Sequence, residues 1–242
     1  MARIAPILRY TDGYLPVALE VLGRGGLVIS PTTTNYNLIC DATNEDAVER
    51  VFQVKRRTKF GPLPVSLPYP EVAPRYVDIP DWFDVGILRA MLPGEISFIF
   101  RQKYPFPDRL TCGLGSVAIS CTTHPVFRSM VIGLNRPIAA TSANLSGQGN
   151  IFVPLDKAIA DIGAEVDLII DAGPTAAEIA GSGDRVNTII DLTFDVPYLV
   201  RPGWVPLDQV RKFFPNLNTD IEAYQRELRR RVAVRTPEAG VA

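Results

Sequence analysis

Two short apolar segments that each run into a cluster of hydroxyl side chains constrain this sequence more than any other feature. The first covers residues 27–30, follows a Gly pair, and is stopped by Pro31 before three consecutive threonines. The second covers residues 137–140 and runs into the segment TSANLSG at 141–147. Short apolar runs bounded by turn residues are typical of buried strands. The pattern therefore predicts two buried strands, each with a hydroxyl-rich loop at its end.

An amphipathic helix is predicted over residues 44–55, after the first loop. Thr43 stands where an N-cap would, Asp46 follows three residues later, and apolar residues recur at helical spacing. Four cations then enter a turn closed by residues 61–64, before a strand that ends near residue 67: Lys55, Arg56, Arg57 and Lys59. Such cations are commonly solvated at a helix end, where they complement the dipole. A phosphate or carboxylate site is the alternative, and spacing alone leaves both open.

The overall charge gives no reason to expect nucleic acid or an anionic membrane as a partner. The 242 residues include 25 basic and 26 acidic side chains, so any anion binding must be local. The three cysteines lack the spacing of a disulfide framework or a zinc site, which fits a reducing compartment. No signal peptide and no apolar run of about 20 residues is apparent. We therefore expect a cytoplasmic protein without a membrane partner.

The remaining chain mixes predicted strands and helices. Strands are predicted at 96–100, 116–121, 166–171, 187–192 and 198–201. Helices are predicted at 14–22, 82–91, 124–132, 154–162, 207–214 and from 219 to about 234. Segments 68–80 and 175–184 are predicted to be loops. Because the elements lack a strict βαβ period, the expected fold class is α/β, with a twisted mixed sheet and flanking helices rather than a Rossmann fold.

The common catalytic and phosphate-binding motifs are absent from the sequence. The phrases GRGG and GSGDR match neither a dinucleotide-binding fingerprint nor a P-loop. His124 is the only histidine, and the proline after it indicates a helix start rather than a catalytic base. No structural metal is expected. Nucleotide binding through a basic turn, hydroxyls and backbone amides remains open.

Five segments, in this order and at these intervals, resemble the YrdC-like family, whose best-known members are threonylcarbamoyl-AMP synthases. They are PTTTNYNLICDAT, KRRTKFGPLPV, ATSANLSG, DLIIDAGPT and NTIIDLT…YLVRPG. The resemblance covers residues 13–206. It implies a YrdC-like catalytic domain over 1–206, followed by a C-terminal helical extension and tail over 207–242. It also implies that the sheet curves around a concave, positively charged cavity.

The resemblance implies an activity as well as a fold. Family synthases use ATP, bicarbonate and L-threonine to make threonylcarbamoyl-adenylate and pyrophosphate, and the product is later transferred to an adenosine in tRNA. Mg²⁺ is expected only with the nucleotide, because this ion keeps most of its water and phosphate ligands. No covalent enzyme intermediate is required, so catalysis would rest on positioning and charge stabilisation.

Site residues carry over from the family motifs position by position. The family's Lys-x-Arg and Ser-x-Asn imply four catalytic residues: Lys55, Arg57, Ser142 and Asn144. These four are also expected to bind the nucleotide, together with Thr141 and Arg201. The opening loop and the Asn-Thr segment imply four substrate-binding residues: Thr32, Thr34, Tyr36 and Asn187. Fixed cations offset phosphate charge, and Ser and Asn supply directional hydrogen bonds.

Several positions depart from the family pattern. Thr33 replaces an aspartate, Gly61 a lysine and Ser120 an arginine, while Asn37, Thr122 and Asn187 replace a glycine, a proline and a serine. These exchanges change the charge and the donors of the implied cavity, which puts the identity of the amine in question.

Three hypotheses follow from the sequence. The first is an ATP-dependent threonylcarbamoyl-adenylate synthase. The second is a diverged YrdC-like enzyme that uses another amine, or a carbamoyl-adenylate for carbamoyl transfer in a specialised pathway. The third is a non-catalytic module that binds nucleotide or RNA, with assistance from the arginines at 229–231. The acidic pI of about 5.9 disfavours a broad RNA-binding face.

Overall fold

One mixed sheet with helices on both faces makes up the fold. The computed structural model describes residues 4–56, 61–148, 151–181 and 186–235, with side chains as far as residue 230. The strands within these residues are β1 Ile7–Arg9, β2 Val28–Pro31, β3 Tyr36–Asp41, β4 Val65–Ser66, β5 Val77–Asp78, β6 Ile96–Gln102, β7 Ser116–Ser120, β8 Ile138–Ser142, β9 Leu168–Asp171, β10 Thr188–Asp191 and β11 Tyr198–Arg201. The helices are α1 Tyr14–Gly23, α2 Glu45–Val54, α3 Ala73–Tyr76, α4 Gly86–Met91, α5 Asp108–Thr111, α6 Pro125–Leu134, α7 Leu155–Ile162, α8 Ala176–Ile179, α9 Leu207–Phe213 and α10 Ile221–Arg235.

The strand order confirms the predicted fold class. Neighbouring strands follow the order β1-β9-β2-β3-β8-β4-β7-β6-β10-β11, and β5 pairs with the end of β6. The pairs β2/β9, β4/β7 and β6/β10 are parallel, whereas β2/β3, β3/β8 and β6/β7 are antiparallel. The result is a mixed α/β sheet rather than the all-parallel sheet of a Rossmann fold.

Two helices cover only one half of one sheet face. A smaller core cluster packs Leu22 of α1 and Met130 of α6 against Val28, Ile39 and Ile138 of strands β2, β3 and β8. The other face carries a larger core cluster, to which α2, α4 and α9 contribute. Side chains alternate between the faces of a strand, so β2 is buried on both faces, and β3 is buried on both faces except at the half-buried Asn37.

The uncovered half of that face is polar where it continues onto β4, β7 and β6. Ser66 of β4 pairs with Ile138 of β8, so the two side chains share a face. Ser66 also pairs with Ser120 of β7. Because Phe98 pairs with Ile119 in antiparallel register, Ser97 of β6 stands opposite Ser120. A row of three small hydroxyl side chains therefore replaces the apolar contacts that α1 and α6 make elsewhere.

The predicted N-cap of α2 is wrong by one residue. The Asn44 side chain accepts a hydrogen bond from the backbone N–H of Ala47 at 2.9 Å, and the helix begins at Glu45. Thr43 instead donates through its Oγ1 to Asp41 at 2.7 Å. The carboxylate of Asp41 at the end of β3 draws Thr43 away from the helix terminus.

Some short elements lie in segments predicted to be loops. Strand β3 directly follows the threonine loop and is held between β2 and β8, so pairing on both sides overrides its polar Asn37. The Pro-rich segment 68–80 contains a 3₁₀ turn at Pro70–Val72, α3 and β5. Within 175–184, α8 begins after Thr175, whose Oγ1 accepts from the Glu178 N–H at 3.2 Å. Residues 182–185 of that segment lie outside the described residues.

Replacing Asn44 with alanine tests the observed helix cap. We expect Asn44→Ala to lower the free energy of unfolding by about 1 kcal/mol, because an orphan N–H of the first turn loses its acceptor. Urea denaturation measures the change. Asn44→Asp, which keeps an acceptor at the same position, should remain close to the wild type, and an equal loss in both variants would contradict the assignment.

Candidate functional site

The open half of the sheet face forms the floor of a cavity of about 1030 Å³. The hydroxyl row Ser66, Ser120 and Ser97 lines it, and Ile189 of β10, which pairs with Ser97, extends the row. The Ser66 hydroxyl is buried and has no hydrogen-bond partner among the described residues. Small hydroxyl side chains therefore make much of the cavity floor polar.

The threonine loop forms one wall of the cavity and is stabilised by its own hydroxyls. Thr32 donates through Oγ1 to the Asn35 carbonyl at 2.7 Å and accepts from the N–H groups of Thr34 and Asn35. Thr32, Thr34 and Asn35 all line the cavity, and each is less than 10% exposed. The Thr32 hydroxyl is thus occupied in shaping the loop.

The second hydroxyl loop faces the first because β3 and β8 pair. Asn37 of β3 pairs with Ser142 of β8, and the Ala143 N–H donates to the Tyr36 carbonyl at 2.9 Å. Thr141 and Ser142 line the cavity and belong to the end of β8 rather than to the loop that follows it. The antiparallel pairing therefore carries residues distant in sequence to one wall.

Lys55 supports the second hydroxyl loop from behind. Its ammonium group donates to the backbone carbonyls of Ser142 and Asn144, the second at 2.7 Å, and the residue is only 3% exposed. The Lys55 carbonyl in turn accepts from the Ser146 N–H at 3.0 Å. A buried ammonium needs such acceptors to offset its desolvation. Lys55 therefore fixes the backbone that presents Ser142.

Arg201 supplies a half-buried positive charge to the cavity wall. Its Nε donates to the Asn187 carbonyl at 3.1 Å, which orients the guanidinium from the neighbouring strand. Burial lowers the pKa of Arg201 from its usual value, and no described carboxylate forms an ion pair with it. An anion in the cavity would compensate this charge.

The C-terminal helix α10 closes part of the cavity. Tyr224 donates through its hydroxyl to the Oδ2 of Asp191 at 3.0 Å, and both residues are buried. Tyr224, Glu227 and Leu228 line the cavity beside Asp191 of β10. The predicted extension after residue 206 therefore contributes to the site, although the domain boundary itself stays a prediction.

The structure brings together most of the residues predicted for the site. Those that line the cavity are Thr32, Thr34, Thr141, Ser142, Asn187 and Arg201. Lys55, Asn144 and Tyr36 lie behind the lining. The Tyr36 hydroxyl donates to the Gly173 carbonyl and accepts from the Ala172 N–H. Burial raises the pKa of Tyr36 to about 12. Arg57 lies outside the described residues.

Five of the six positions that depart from the family pattern line the cavity: Asn37, Gly61, Ser120, Thr122 and Asn187. Lining residues that sequence reasoning missed include Ser97, Arg101 and Asp191. The alternation of β6 carried a signal, because Ser97, Ile99 and Arg101 share one face of an otherwise apolar strand.

The structure bears on two further predictions. Arginines of α10 pair with acids of the same helix region, Arg230 with Glu227 at 3.4 Å and Arg226 with Glu222 at 3.7 Å. Direct RNA binding by this helix stays a prediction.

Among the described residues there is no group of three or more His, Cys, Asp or Glu side chains suited to a metal, and no helix is long and apolar enough to cross a membrane.

A mixed sheet with half of one face open over a hydroxyl-lined cavity defines an α/β protein with a binding site on its sheet. The particular family follows from comparison with known proteins. The Sua5/YciO/YrdC family model, described as "Telomere recombination", matches residues 20–203. The chain belongs to this family.

Two curated relatives and a solved structure resemble this chain over most of its length. It is 29% identical over 205 residues to the threonylcarbamoyl-AMP synthase of Pyrococcus abyssi, covering 84% of this chain and 58% of that protein. It is 28% identical over 228 residues to the Bacillus subtilis threonylcarbamoyl-AMP synthase, covering 88% and 60%. The chain thus spans about three fifths of the length of these relatives. The structure of P. abyssi Sua5 complexed with L-threonine matches with a TM-score of 0.80 at 28% identity, covering 92% of this chain and 64% of that chain.

Replacing Lys55 with methionine tests its supporting position. We expect Lys55→Met to lower the free energy of unfolding by about 3 kcal/mol, because it leaves two buried carbonyls without their charged donor. Urea denaturation provides the measurement. Lys103, which donates to the Pro74 carbonyl at 3.1 Å on the exposed surface, offers a matched control. If Lys103→Met and Lys55→Met cost the same, Lys55 does not hold the loop.

Proposed function

We propose that this protein is a nucleotidyltransferase that forms threonylcarbamoyl-adenylate from L-threonine, bicarbonate and ATP. The reaction releases pyrophosphate and serves the synthesis of threonylcarbamoyladenosine in tRNA, in the cytoplasm. The main support is the fold shared with P. abyssi Sua5 complexed with L-threonine, at a TM-score of 0.80. The cavity of about 1030 Å³ is large enough for a nucleotide and an amino acid together.

The chemistry requires positioning more than reactive side chains. The amine of threonine adds to CO₂ derived from bicarbonate and loses a proton, which gives a carbamate. A carbamate oxygen then attacks the α-phosphorus of ATP, the bond to the β-phosphate oxygen breaks, and pyrophosphate leaves. Both steps gain from holding the reactants together and from stabilising phosphate charge.

The cavity residues divide into two groups in this proposal. Thr141, Ser142 and Arg201 line the cavity and would contact the nucleotide, Arg201 through a guanidinium that pairs with no described carboxylate. Lys55 and Asn144 would act through the loop they support, since Lys55 bonds its backbone. Substrate contacts are proposed for Thr32, Thr34 and Asn187, which line the cavity, and Tyr36 would support them from behind. Arg57 keeps the nucleotide-binding role implied by the family motif.

Mg²⁺ fits this cavity as an ion carried by the nucleotide. Three acids line the cavity, Glu95, Asp191 and Glu227, but among the described residues they do not gather into a metal-binding cluster. Mg²⁺ accepts one or two carboxylates and fills its other positions with phosphate oxygens and water. When bound, it would neutralise phosphate charge.

A second candidate function is supported by the five cavity-lining departures from the family pattern. Gly61 and Ser120 line the cavity. They stand where the family pattern has a lysine and an arginine. A diverged enzyme with the same adenylate chemistry but another amine, or a carbamoyl donor, would use such a less cationic cavity. Assays with a panel of amines and with carbamoyl phosphate distinguish this candidate from the first.

Replacing Arg201 with lysine tests the proposed reaction. We expect wild-type protein to release pyrophosphate only when ATP, bicarbonate and L-threonine are all present. Arg201→Lys should lower kcat/KM for ATP roughly 100-fold, because an ammonium cannot reproduce the planar contacts of a guanidinium.

Arg24, directly after α1, provides the matched control, since its side chain is 63% exposed and pairs with Glu20 of that helix. Arg24→Lys should leave the rate unchanged. Wild-type protein that releases no threonine-dependent pyrophosphate, beside an active control enzyme, would rule out the threonine reaction.

A further inference from the structure

One carboxylate on the cavity wall has no part in the roles described so far. Glu95 immediately precedes β6, is half-buried, and lines the cavity. Its backbone carbonyl accepts from the Thr188 N–H at 3.1 Å, which fixes it against β10. No described lysine or arginine forms an ion pair with its side chain. The cavity wall therefore carries a carboxylate that pairs with no cation among the described residues.

A chain of hydroxyls links this carboxylate to the threonine loop. Thr123 donates through Oγ1 to the Oε1 of Glu95 at 2.6 Å. The Oγ1 atoms of Thr123 and Thr33 lie 2.9 Å apart. A hydroxyl has one proton and can donate one hydrogen bond, and Thr123 donates its bond to Glu95. Thr33 must therefore be the donor in its bond to Thr123.

The direction of these bonds determines what the group can bind. With its proton committed to Thr123, Thr33 has only acceptor lone pairs left, and the Glu95 carboxylate is also an acceptor. Thr33 is half-buried and is not itself part of the lining, but its neighbours Thr32 and Thr34 line the cavity, as does Glu95. Two acceptors, one of them charged, suit a group with several N–H donors and a positive charge. A primary ammonium has both properties, whereas a carboxylate or phosphate would be repelled.

An opposite charge lines the same cavity. The backbone carbonyl of Glu95 accepts from the N–H of Thr188, and the Arg201 side chain donates to the carbonyl of Asn187, the preceding residue. Glu95 and Arg201 are thus bonded to adjacent backbone positions, and within the described residues their side chains form no ion pair with each other. A ligand with a positive and a negative group would satisfy both.

We propose that Glu95, with Thr33 oriented through Thr123, forms the subsite for the primary ammonium group of the substrate. This subsite selects zwitterionic amino acids over the same acids without the amine. The inference deepens the proposed function and rests on it. Glu95 determines specificity by contacting the amine, and Thr123 is a positioning residue.

Binding of two related ligands tests the subsite without relying on turnover. The probes are L-threonine and 2,3-dihydroxybutanoate, in which a hydroxyl replaces the amine. Isothermal titration calorimetry should give wild-type protein a preference for L-threonine of about 10- to 100-fold, the range of a hydrogen bond to a charged group. Glu95→Gln should reduce this preference about tenfold through weaker L-threonine binding. The amide keeps an oxygen for Thr123, so the hydroxyl chain remains.

Two further variants separate the subsite from a general effect on the fold. Glu20→Gln on α1, where the side chain is 74% exposed, should change neither affinity. Thr123→Val should weaken L-threonine binding by a smaller factor than Glu95→Gln and leave the analogue unaffected, because only the orientation of Thr33 is lost. Thermal unfolding of each variant verifies that it is folded.

The outcomes distinguish this inference from the function on which it rests. An unchanged ligand ratio in folded Glu95→Gln overturns the ammonium subsite, even if the wild type releases threonine-dependent pyrophosphate. A ratio that falls in Glu95→Gln, without pyrophosphate release by the wild type, supports the subsite and overturns the proposed reaction. Wild-type protein that binds neither probe contradicts both.

Discussion

A buried ammonium group holds the two hydroxyl-rich loops of this protein in their arrangement. Lys55, at the end of α2, donates to the backbone of Ser142 and Asn144 at the end of β8. Because a buried charge is tolerated only with well-placed partners, the loop cannot move away without leaving a buried ammonium group and two carbonyls without partners. Asn37 of β3 pairs with Ser142, so the threonine loop before β3 is placed by the same contact.

The cavity results from an uneven cover of the sheet. Helices α1 and α6 bury one face of β2, β3 and β8 with apolar side chains, whereas the continuation of that face carries Ser66, Ser120 and Ser97. Small hydroxyls leave volume above the sheet, and α10 bounds that volume from the far side through Tyr224. Glu95 and Arg201 both line this volume, so the proposed ligand is one with both a cationic and an anionic group.

The long apolar elements and the order of the motifs could be predicted from the sequence, and the contacts between distant segments could not. The mixed sheet and the helices α1, α6 and α7 follow from periodicity and helix-stop signals. Strand β3 was missed because its stability comes from pairing on both sides rather than from its own pattern. The bonds of the Lys55 ammonium group to the backbone of residues 142 and 144 could not be predicted, because nothing in the local sequence reveals them; nucleotide binding by Lys55 stays a prediction. Glu95 was missed for a similar reason: its partner Thr123 is 28 residues away and lies on another loop.

A crystal structure of the protein with ATP, bicarbonate and L-threonine is the most direct measurement of the central claim. The account predicts an adenylate in the cavity, with its phosphate beside Arg201 and Ser142 and the amine-derived nitrogen of its threonine part on the side of Glu95. A ligand bound outside this cavity, or an adenylate whose phosphate lies beside Glu95, would contradict it.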